Sequence, residues 1–402
     1  MSSTIDRRRV LVMAAMTLLP GCAQQGSPED ERARAAESDS DIKIAVAWPW
    51  EAHADLYFAQ GLEMAADEIN GAGGVLGRHI SLVTVDDQES VNEGRLVAQR
   101  LAGDPEIMAI VGHLQSYVTV PAAAIYDLAG LLLVAPTSTS AELTSKGYER
   151  VFRATLTDQV IGRAMAEFAE LREYRRVAIY YVRNGYGRAL ANAFEERSYD
   201  LDIGVVARQS YDPNQDFGQR ALEPVLQEWR QMDLDAVFLA GQVPVAGRVI
   251  TGLRSAGIDA PILGSDAMSA PSLITEGGFA AEGTVVASLF HPVAPRPAVQ
   301  RFVSDFRARN DHDPDTAAAL GYDAVRLLAH AMETAGSPAP ERVADAMRGV
   351  GAWKGVTGSF TFDEKGDLVG RQPVHLVVRN GAFDLLPPQD QVREARMIEG
   401  GR

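Results

Sequence analysis

The feature that most constrains the fold is an internal repeat, because the chain presents the same succession of apolar strands and amphipathic helices twice. One copy opens with residues 42–47 and the other with residues 177–182. The later strands correspond in the same order: residues 80–85 with 203–208, 107–112 with 234–241, and 131–136 with 261–264. Strands that alternate with helices form βαβ units around a parallel sheet, so the repeat predicts two α/β lobes. Two similar lobes on one chain favour a small molecule held between them.

The chain beyond the second copy is expected to complete both lobes. Residues 297–350 are mainly helical in pattern, and short strand-like pieces follow at 358–363 and 374–380. We therefore expect one lobe from residues 41–155 plus 289–356 and the other from 156–288 plus 357–388, with a polar tail at 389–402. The predicted fold is α/β, with two doubly wound parallel-sheet lobes joined by a hinge of three crossings. The crossings are placed near Thr155, Leu289 and Thr357.

The first residues have the pattern of an export signal. Arg7, Arg8 and Arg9 precede an apolar stretch at 10–19 that is too short to span a bilayer. The stretch ends before Cys22, the only cysteine, in a pattern that resembles a lipobox. We expect a signal peptide at 1–21, then a lipidated Cys22 and a flexible tether over 22–40, which gives an anchored periplasmic or cell-surface protein. An ordinary signal peptide stays the alternative, and the arginines leave both the general and the twin-arginine export routes open.

Composition argues against several classes of function. Lys and Arg number 38 against 54 Asp and Glu, a net charge of −16, and nucleic-acid binding needs a basic surface. The chain contains no nucleophile elbow and no zinc-protease helix, and His113 fits a structural role better than a catalytic one. The glycines at 71–74 follow a helix rather than a strand, so they form a turn and not a nucleotide loop. We expect a binding protein with no cofactor, no metal and no nucleic-acid partner.

Polar and aromatic side chains follow the strands of both copies, where parallel sheets bind their ligands. The candidates are Trp48, Trp50, Gln115, Ser116, Thr137 and Thr139 in the first copy, and Tyr186, Gln242 and Asp266 in the second. Hydroxyls and amides at helix starts suit a carboxylate, and Asp266 suits an ammonium. Each residue also has a plainer role as a helix cap or a packing group. Together they favour a free amino acid between aromatic walls.

The chain also resembles a known family through residues 61–77 (GLEMAADEINGAGGVLG), 136–148 (PTSTSAELTSKGY) and 362–368 (FDEKGDL). It is similar to the branched-chain amino acid binding proteins of ABC transporters, which have the type I periplasmic binding fold. The resemblance implies delivery of the ligand to permease subunits. It also implies that Ser116 and the Thr139 amide bind the ligand α-carboxylate. Asp266, the Thr139 hydroxyl and the Thr137 carbonyl would bind the α-ammonium, and Tyr186 would be a pocket tyrosine.

The departures from that family concern specificity. Asp266 is one methylene shorter than the usual glutamate, and residues 48–51 are bulky where small residues are usual. Unpaired Gln115 and Gln242 amides buried against an aliphatic side chain would each cost about 1–3 kcal/mol. The sequence therefore favours a polar or aromatic side chain. The alternative is a ligand sensor of the same fold that binds a small amide, urea or an aromatic acid and signals to a membrane receptor.

Overall fold

The computed structural model describes residues 28–215, 217 and 219–387. The helices of this part of the chain are α1 (Pro28–Ala36), α2 (Phe58–Gly71), α3 (Val91–Ala102), α4 (Ser116–Leu128), α5 (Asp158–Leu171), α6 (Gly185–Asp200), α7 (Gln219–Trp229), α8 (Val245–Ser255), α9 (Pro271–Gly277), α10 (Pro297–Asn310), α11 (Thr316–Ala335) and α12 (Pro340–Arg348). The strands are β1 (Ile42–Trp48), β2 (Ile80–Asp86), β3 (Ile107–Gly112), β4 (Leu132–Ala135), β5 (Val151–Arg153), β6 (Arg176–Val182), β7 (Gly204–Tyr211), β8 (Ala236–Ala240), β9 (Ile262–Gly264), β10 (Val285–Ser288), β11 (Trp353–Lys354), β12 (Ser359–Phe360), β13 (Val374–Arg379) and β14 (Ala382–Leu385).

The two copies of the repeat form two sheets with matching strand order. The first sheet runs β2-β1-β3-β4-β5, with every pairing parallel. The second runs β14-β13-β10-β9-β8-β6-β7. Its strands β7-β6-β8-β9 therefore lie in the same order as β2-β1-β3-β4 of the first sheet. Its strands β13 and β14 are antiparallel additions at one edge. The predicted fold of two parallel-sheet lobes is confirmed.

Helices cover both faces of each sheet, which explains why the strands are apolar throughout rather than alternating. In β1, Ile44 and Val46 face one core, and Ala45 and Ala47 face the other. The first of these cores also holds α10 and α11, so the helices after the second copy return to the first lobe. A Cβ on Gly61 of α2 would lie 2.0 Å from the Ala318 carbonyl oxygen, so glycine is required for α2 and α11 to approach this closely.

Core membership passes from the first lobe to the second between Ala154 and Leu156, back between Leu289 and Phe290, and again between Leu368 and Leu376. These changes mark three crossings, and the third lies later than predicted. The prediction places residues 357–368 in the second lobe, but Phe360, Phe362 and Leu368 pack in the first core. Strand β12 pairs with β11, and Asp367 forms an isolated parallel β-bridge with Arg153 of β5. The sequence showed strand-like residues here without showing which sheet they would join.

The flexible tether predicted over 22–40 is wrong for residues 28–36, because they form α1 on the first lobe. Arg32 of this helix is 1% exposed. Its guanidinium donates to the carbonyl oxygens of Ile107 (2.9 Å), Ala129 (2.9 Å), Ala102 (3.0 Å) and Asp104 (3.1 Å). The composition of the tether predicts full solvation, but a long cation can satisfy several carbonyls at helix ends and at the start of β3 at once. The predicted signal peptide, Cys22, residues 23–27 and the tail at 389–402 lie outside the described residues.

We expect Arg32→Ala to release α1 from the first lobe. The change removes the charged donor of buried hydrogen bonds, and the expected loss in free energy of unfolding is about 2 kcal/mol. Hydrogen exchange of the amides of residues 29–36 and the midpoint of thermal unfolding both measure it. Arg34→Ala is the matched control, because Arg34 is an exposed residue of the same helix. Equal effects of the two substitutions would contradict the assigned role of Arg32.

Candidate functional site

A cavity of about 1160 Å³ lies between the two lobes, at the carboxyl ends of both parallel sheets. Eight of the nine predicted ligand residues line it: Trp48, Gln115, Ser116, Thr137, Thr139, Tyr186, Gln242 and Asp266. The exception is Trp50, which packs against the first core and donates from its indole nitrogen to the Val85 carbonyl at 3.0 Å. Trp48 is 1% exposed and stacks on Phe58, so it forms the floor of the cavity rather than an open wall.

The first lobe presents hydroxyls and a helix start to the cavity. Ser116 begins α4, and its Oγ accepts from the Ser140 amide at 3.3 Å and from Ser138 Oγ at 3.1 Å. The Thr137 hydroxyl instead donates to the carbonyl oxygens of His113 and Leu114 at 3.1 and 3.0 Å. Thr137 therefore ties the loop after β4 to the loop after β3. The amides of Ser116 and Tyr117 open α4, where backbone N–H groups have no preceding helical turn to donate to, so this wall favours an anionic group.

His113 is structural, as predicted. The side chain is fully buried, with Nδ1 2.6 Å from Asp87 Oδ2 and Nε2 3.1 Å from the Tyr126 hydroxyl. Both partners belong to the first lobe, and neither His113 nor these partners line the cavity. The network joins the chain after β2 to the loop that carries Gln115 and Ser116.

The second lobe presents an acid held by a tyrosine. The Tyr186 hydroxyl donates to Asp266 Oδ1 at 2.6 Å, and it also accepts from the Ala267 amide at 3.3 Å. Burial raises the pKa of the Asp266 carboxyl, and the hydrogen bond from Tyr186 opposes that shift. Burial also raises the pKa of Tyr186 well above its usual value, so the phenol stays a donor. Asp266 thus lines the cavity with Tyr186 as its side-chain hydrogen-bond partner.

A second acid, Asp158, was missed by the sequence reasoning. It begins α5 at the first crossing, lines the cavity and is 2% exposed. Its Oδ1 has no hydrogen-bond partner among the described residues. Burial and the charge of Asp266 raise the pKa of Asp158 to about 7, and a hydrogen bond with the Thr139 side chain opposes the shift. An acid after Thr157 looks like an ordinary helix start in sequence, and the only available signal was its position at a predicted crossing.

The predicted role of the two glutamines changes, because they pair with other side chains. Gln115 Nε2 donates to Glu89 Oε1 at 2.6 Å, and Gln242 Nε2 donates to Gln115 Oε1 at 3.4 Å. Asn184 Nδ2 in turn donates to Gln242 Oε1 at 3.1 Å. This chain of hydrogen bonds crosses from the first lobe to the second. The expected penalty for unpaired amides is therefore wrong, and an aliphatic ligand is not disfavoured on that ground.

Apolar side chains complete the cavity wall. They come from both lobes and from the crossings: Leu56, Leu114, Leu289, Leu320, Val243 and Ala267. Among the residues that the structure describes, no group of three or more His, Cys, Asp and Glu could hold a metal ion. Within the same ranges, no helix is long and apolar enough to cross a membrane. The arrangement suits binding of a small molecule that has both polar and apolar parts.

The fold and the cleft define a two-lobed solute-binding protein. A family model described as periplasmic binding protein matches residues 42–380, and the chain belongs to that family. This is a family of exported solute-binding proteins and not of enzymes. The chain is 30% identical over 309 residues to a leucine-, isoleucine-, valine-, threonine- and alanine-binding protein of Pseudomonas aeruginosa, covering 77% of this chain and 81% of that one.

Solved structures of the same family are similar throughout the folded body. One is an ABC transporter substrate-binding protein from Desulfitobacterium hafniense in complex with Leu. It is 37% identical, with a TM-score of 0.78 over 86% of this chain and 100% of that chain. Another is a leucine-binding protein from Thermotoga maritima, 29% identical, with a TM-score of 0.79 over 87% and 99% of the two chains. The predicted family and its type I periplasmic binding fold are confirmed.

The Asp158 carboxyl predicts how the stability of the ligand-free protein changes with pH. The pKa of Asp158 in the folded protein is about 7, above its unfolded value of 3.8, so folding favours the protonated form. Its contribution is fully present below pH 4 and is lost as the pH rises towards 7. We expect Asp158→Asn to flatten this loss and to stabilise the ligand-free protein by about 2 kcal/mol at pH 8.

Thermal unfolding of the ligand-free protein at pH 4 to 8 measures this effect. Asp200→Asn is the control, because Asp200 is exposed on α6 and should leave the pH profile unchanged. A profile that is the same in the Asp158 variant and the wild type would show that Asp158 does not titrate abnormally.

Proposed function

We propose that this chain is an extracytoplasmic solute-binding lipoprotein that captures an amino acid or a close analogue between its lobes. It then delivers the ligand to the permease of an ABC transporter. The observation that carries the proposal is the placement of opposite chemistry on the two sides of one cavity. Ser116 and Thr139 lie in the first lobe at helix and loop amides, and Asp158 and Asp266 face the same space.

Two neighbouring carboxylates favour a cationic ligand group. Asp158 and Asp266 repel one another, and the charge of Asp266 contributes to the raised pKa of Asp158. An ammonium between them would offset this repulsion and would favour the ionised form of both acids. Charge-assisted hydrogen bonds of this kind are roughly twice as strong as neutral ones. The carboxylate of the same ligand would face Ser116 and the Thr139 amide, which need an acceptor.

The ligand side chain would then contact the apolar wall. The cavity is lined by Leu56, Leu114, Leu289 and Leu320. The amides of Gln115 and Gln242 have side-chain partners in the protein. The similar Pseudomonas aeruginosa protein is named for leucine, isoleucine, valine, threonine and alanine, and the Desulfitobacterium hafniense structure contains Leu. Aliphatic amino acids are therefore the first ligands to test, ahead of the polar and aromatic ones that the sequence favoured.

Delivery to a permease follows from closure of the lobes. A ligand stabilises the closed form only through contacts that the open form lacks, so both lobes must contribute. Here the first lobe supplies Ser116 and Thr139, and the second supplies Tyr186 and Asp266. The proposed anchor at Cys22 would keep this closing body close to the membrane that holds the permease.

Isothermal titration of the purified protein tests the ligand. The panel comprises the proteinogenic amino acids, urea, small amides and aromatic acids, applied after partial unfolding to remove any bound ligand. We expect Asp266→Asn to lower the affinity for the best amino acid about 100-fold, because it removes a charged partner of the ammonium worth about 3 kcal/mol. Asp259→Asn, an exposed change in the same lobe, is the matched control and should bind as the wild type does.

Two results would go against this proposal. Unchanged affinity in Asp266→Asn would remove that residue from the site. Binding only to compounds without an α-amino group would favour the alternative of a sensor or carrier for an amide, urea or an aromatic acid.

The anchor is tested separately in cells. We expect Cys22→Ser to abolish incorporation of labelled fatty acid and to move the protein from the membrane fraction to the soluble fraction, because the thiol is the proposed lipid acceptor. Ser27→Ala is the control and should leave the protein in the membrane fraction. Two results together would contradict lipidation: the Cys22 variant stays in the membrane fraction, and the wild type incorporates no labelled fatty acid. The protein would then be attached to the membrane by another means.

A further inference from the structure

Residues 362–368 (FDEKGDL) form a tight turn beside the first sheet, and nothing in the ligand site itself accounts for them. Asp363 Oδ1 accepts from the amides of Lys365 and Asp367, both at 2.9 Å. Gly366 has a φ of +82°, and a Cβ there would lie 2.1 Å from the Val151 carbonyl oxygen. The Gly366 carbonyl accepts from the Arg153 amide at 2.8 Å. The sequence of the turn therefore fixes its conformation and holds it against β5.

The turn presents Asp367 to a buried arginine. Asp367 Oδ1 accepts from Arg153 Nε at 2.6 Å, and the Arg153 side chain is completely buried. The other donors of the guanidinium reach the loop after β4: Nη1 donates to the carbonyl oxygens of Ser138 (2.8 Å) and Ser140 (2.6 Å), and Nη2 donates to Thr144 Oγ1 (2.9 Å). One cation thus connects the turn before the third crossing to both neighbours of Thr139.

The bond to the Ser138 carbonyl sets the direction of the Thr139 amide. In a trans peptide the carbonyl of one residue and the N–H of the next point in opposite directions. Because the Ser138 carbonyl points at Arg153, the Thr139 N–H points away from it. Thr139 lines the cavity and Arg153 does not, so the guanidinium holds the loop from beneath. The amide is aimed at the ligand side of the loop.

We propose that Arg153 and Asp367 are positioning residues for the anionic group of the ligand. Arg153 orients the Thr139 amide, and Asp367 orients Arg153 through the hydrogen bond that its Oδ1 accepts from Arg153 Nε. This inference rests on the proposed function, because the group received at Thr139 is the carboxylate of an amino acid. It gives residues 362–368 a part in binding, although none of them lines the cavity.

The test uses the full chain with L-leucine as the probe. Binding constants by titration and the proton shift of the Thr139 amide on saturation with L-leucine are measured for the wild type, Arg153→Lys and Asp367→Asn. Lysine keeps the charge, but its single nitrogen cannot serve the two carbonyls, Asp367 and Thr144 at once. Lys365→Ala, an exposed change in the same turn, is the matched control. Thermal unfolding shows which variants are folded.

We expect the affinity of Arg153→Lys for L-leucine to fall about 30-fold and that of Asp367→Asn about 5-fold, by comparison with other misplaced hydrogen-bond donors. In both variants the Thr139 shift on saturation should be smaller than in the wild type, and Lys365→Ala should match the wild type. If Arg153→Lys does not fold, Asp367→Asn carries the test alone.

A folded variant that binds within twofold of the wild type would overturn the inference. So would a weakened variant whose Thr139 shift is unchanged, because Arg153 would then support only the lobe. Failure of the proposed function looks different: the wild type itself would bind neither L-leucine nor any other amino acid in the panel.

Discussion

The rest of this structure depends on the parallel direction of its strands. Every strand of the first sheet, and β6 to β10 of the second, ends at the edge that borders the cavity. Loops that are far apart in sequence therefore meet in one place. The three crossings leave the sheets near that edge as well, which is why Asp158 and Leu289 from two crossings line the cavity along with the strand-end loops. A rotation about the crossings would change the distance between the cavity residues of the two lobes without disturbing either sheet.

Within that geometry, the polar groups of the site are held by partners behind them. His113 is held by Asp87 and Tyr126, and Thr137 ties two loops of the first lobe together. In the second lobe, Tyr186 holds Asp266 through a hydrogen bond. Such supporting contacts keep donors and acceptors aimed at a ligand before it arrives, which lowers the ordering cost of binding. The exception is Asp158, whose Oδ1 has no hydrogen-bond partner among the described residues and is therefore available to a donor group of a ligand.

The sequence predicts the fold well because the repeat and the apolar strands depend on local pattern and on period. It also predicts eight residues of the cavity, since parallel strand ends have one fixed location. What it could not predict are pairings between distant residues. Gln115 and Gln242 look like unpaired amides until Glu89 and Asn184 are placed beside them. Asp367 looks like a turn residue until Arg153 lies 2.6 Å away, and Arg32 looks like part of a solvated linker until four carbonyls surround it. Each of these depends on contacts between residues more than 25 positions apart in the chain.

The hydrogen bond between Gln115 and Gln242 raises the question of what the ligand adds to closure. At 3.4 Å between neutral, half-buried amides, this contact is weak and exchanges readily with water. By itself this hydrogen bond stabilises a closed form only slightly when the cavity is empty. Under the proposed function, Asp158 and Asp266 would disfavour closure without ligand to the extent that they are ionised, because closing the lobes removes water from charged carboxylates. The proposed ligand ammonium would reverse the sign of that contribution. The same two acids would then make closure conditional on a cationic ligand group, and the amides of Gln115 and Gln242 would add only the final alignment.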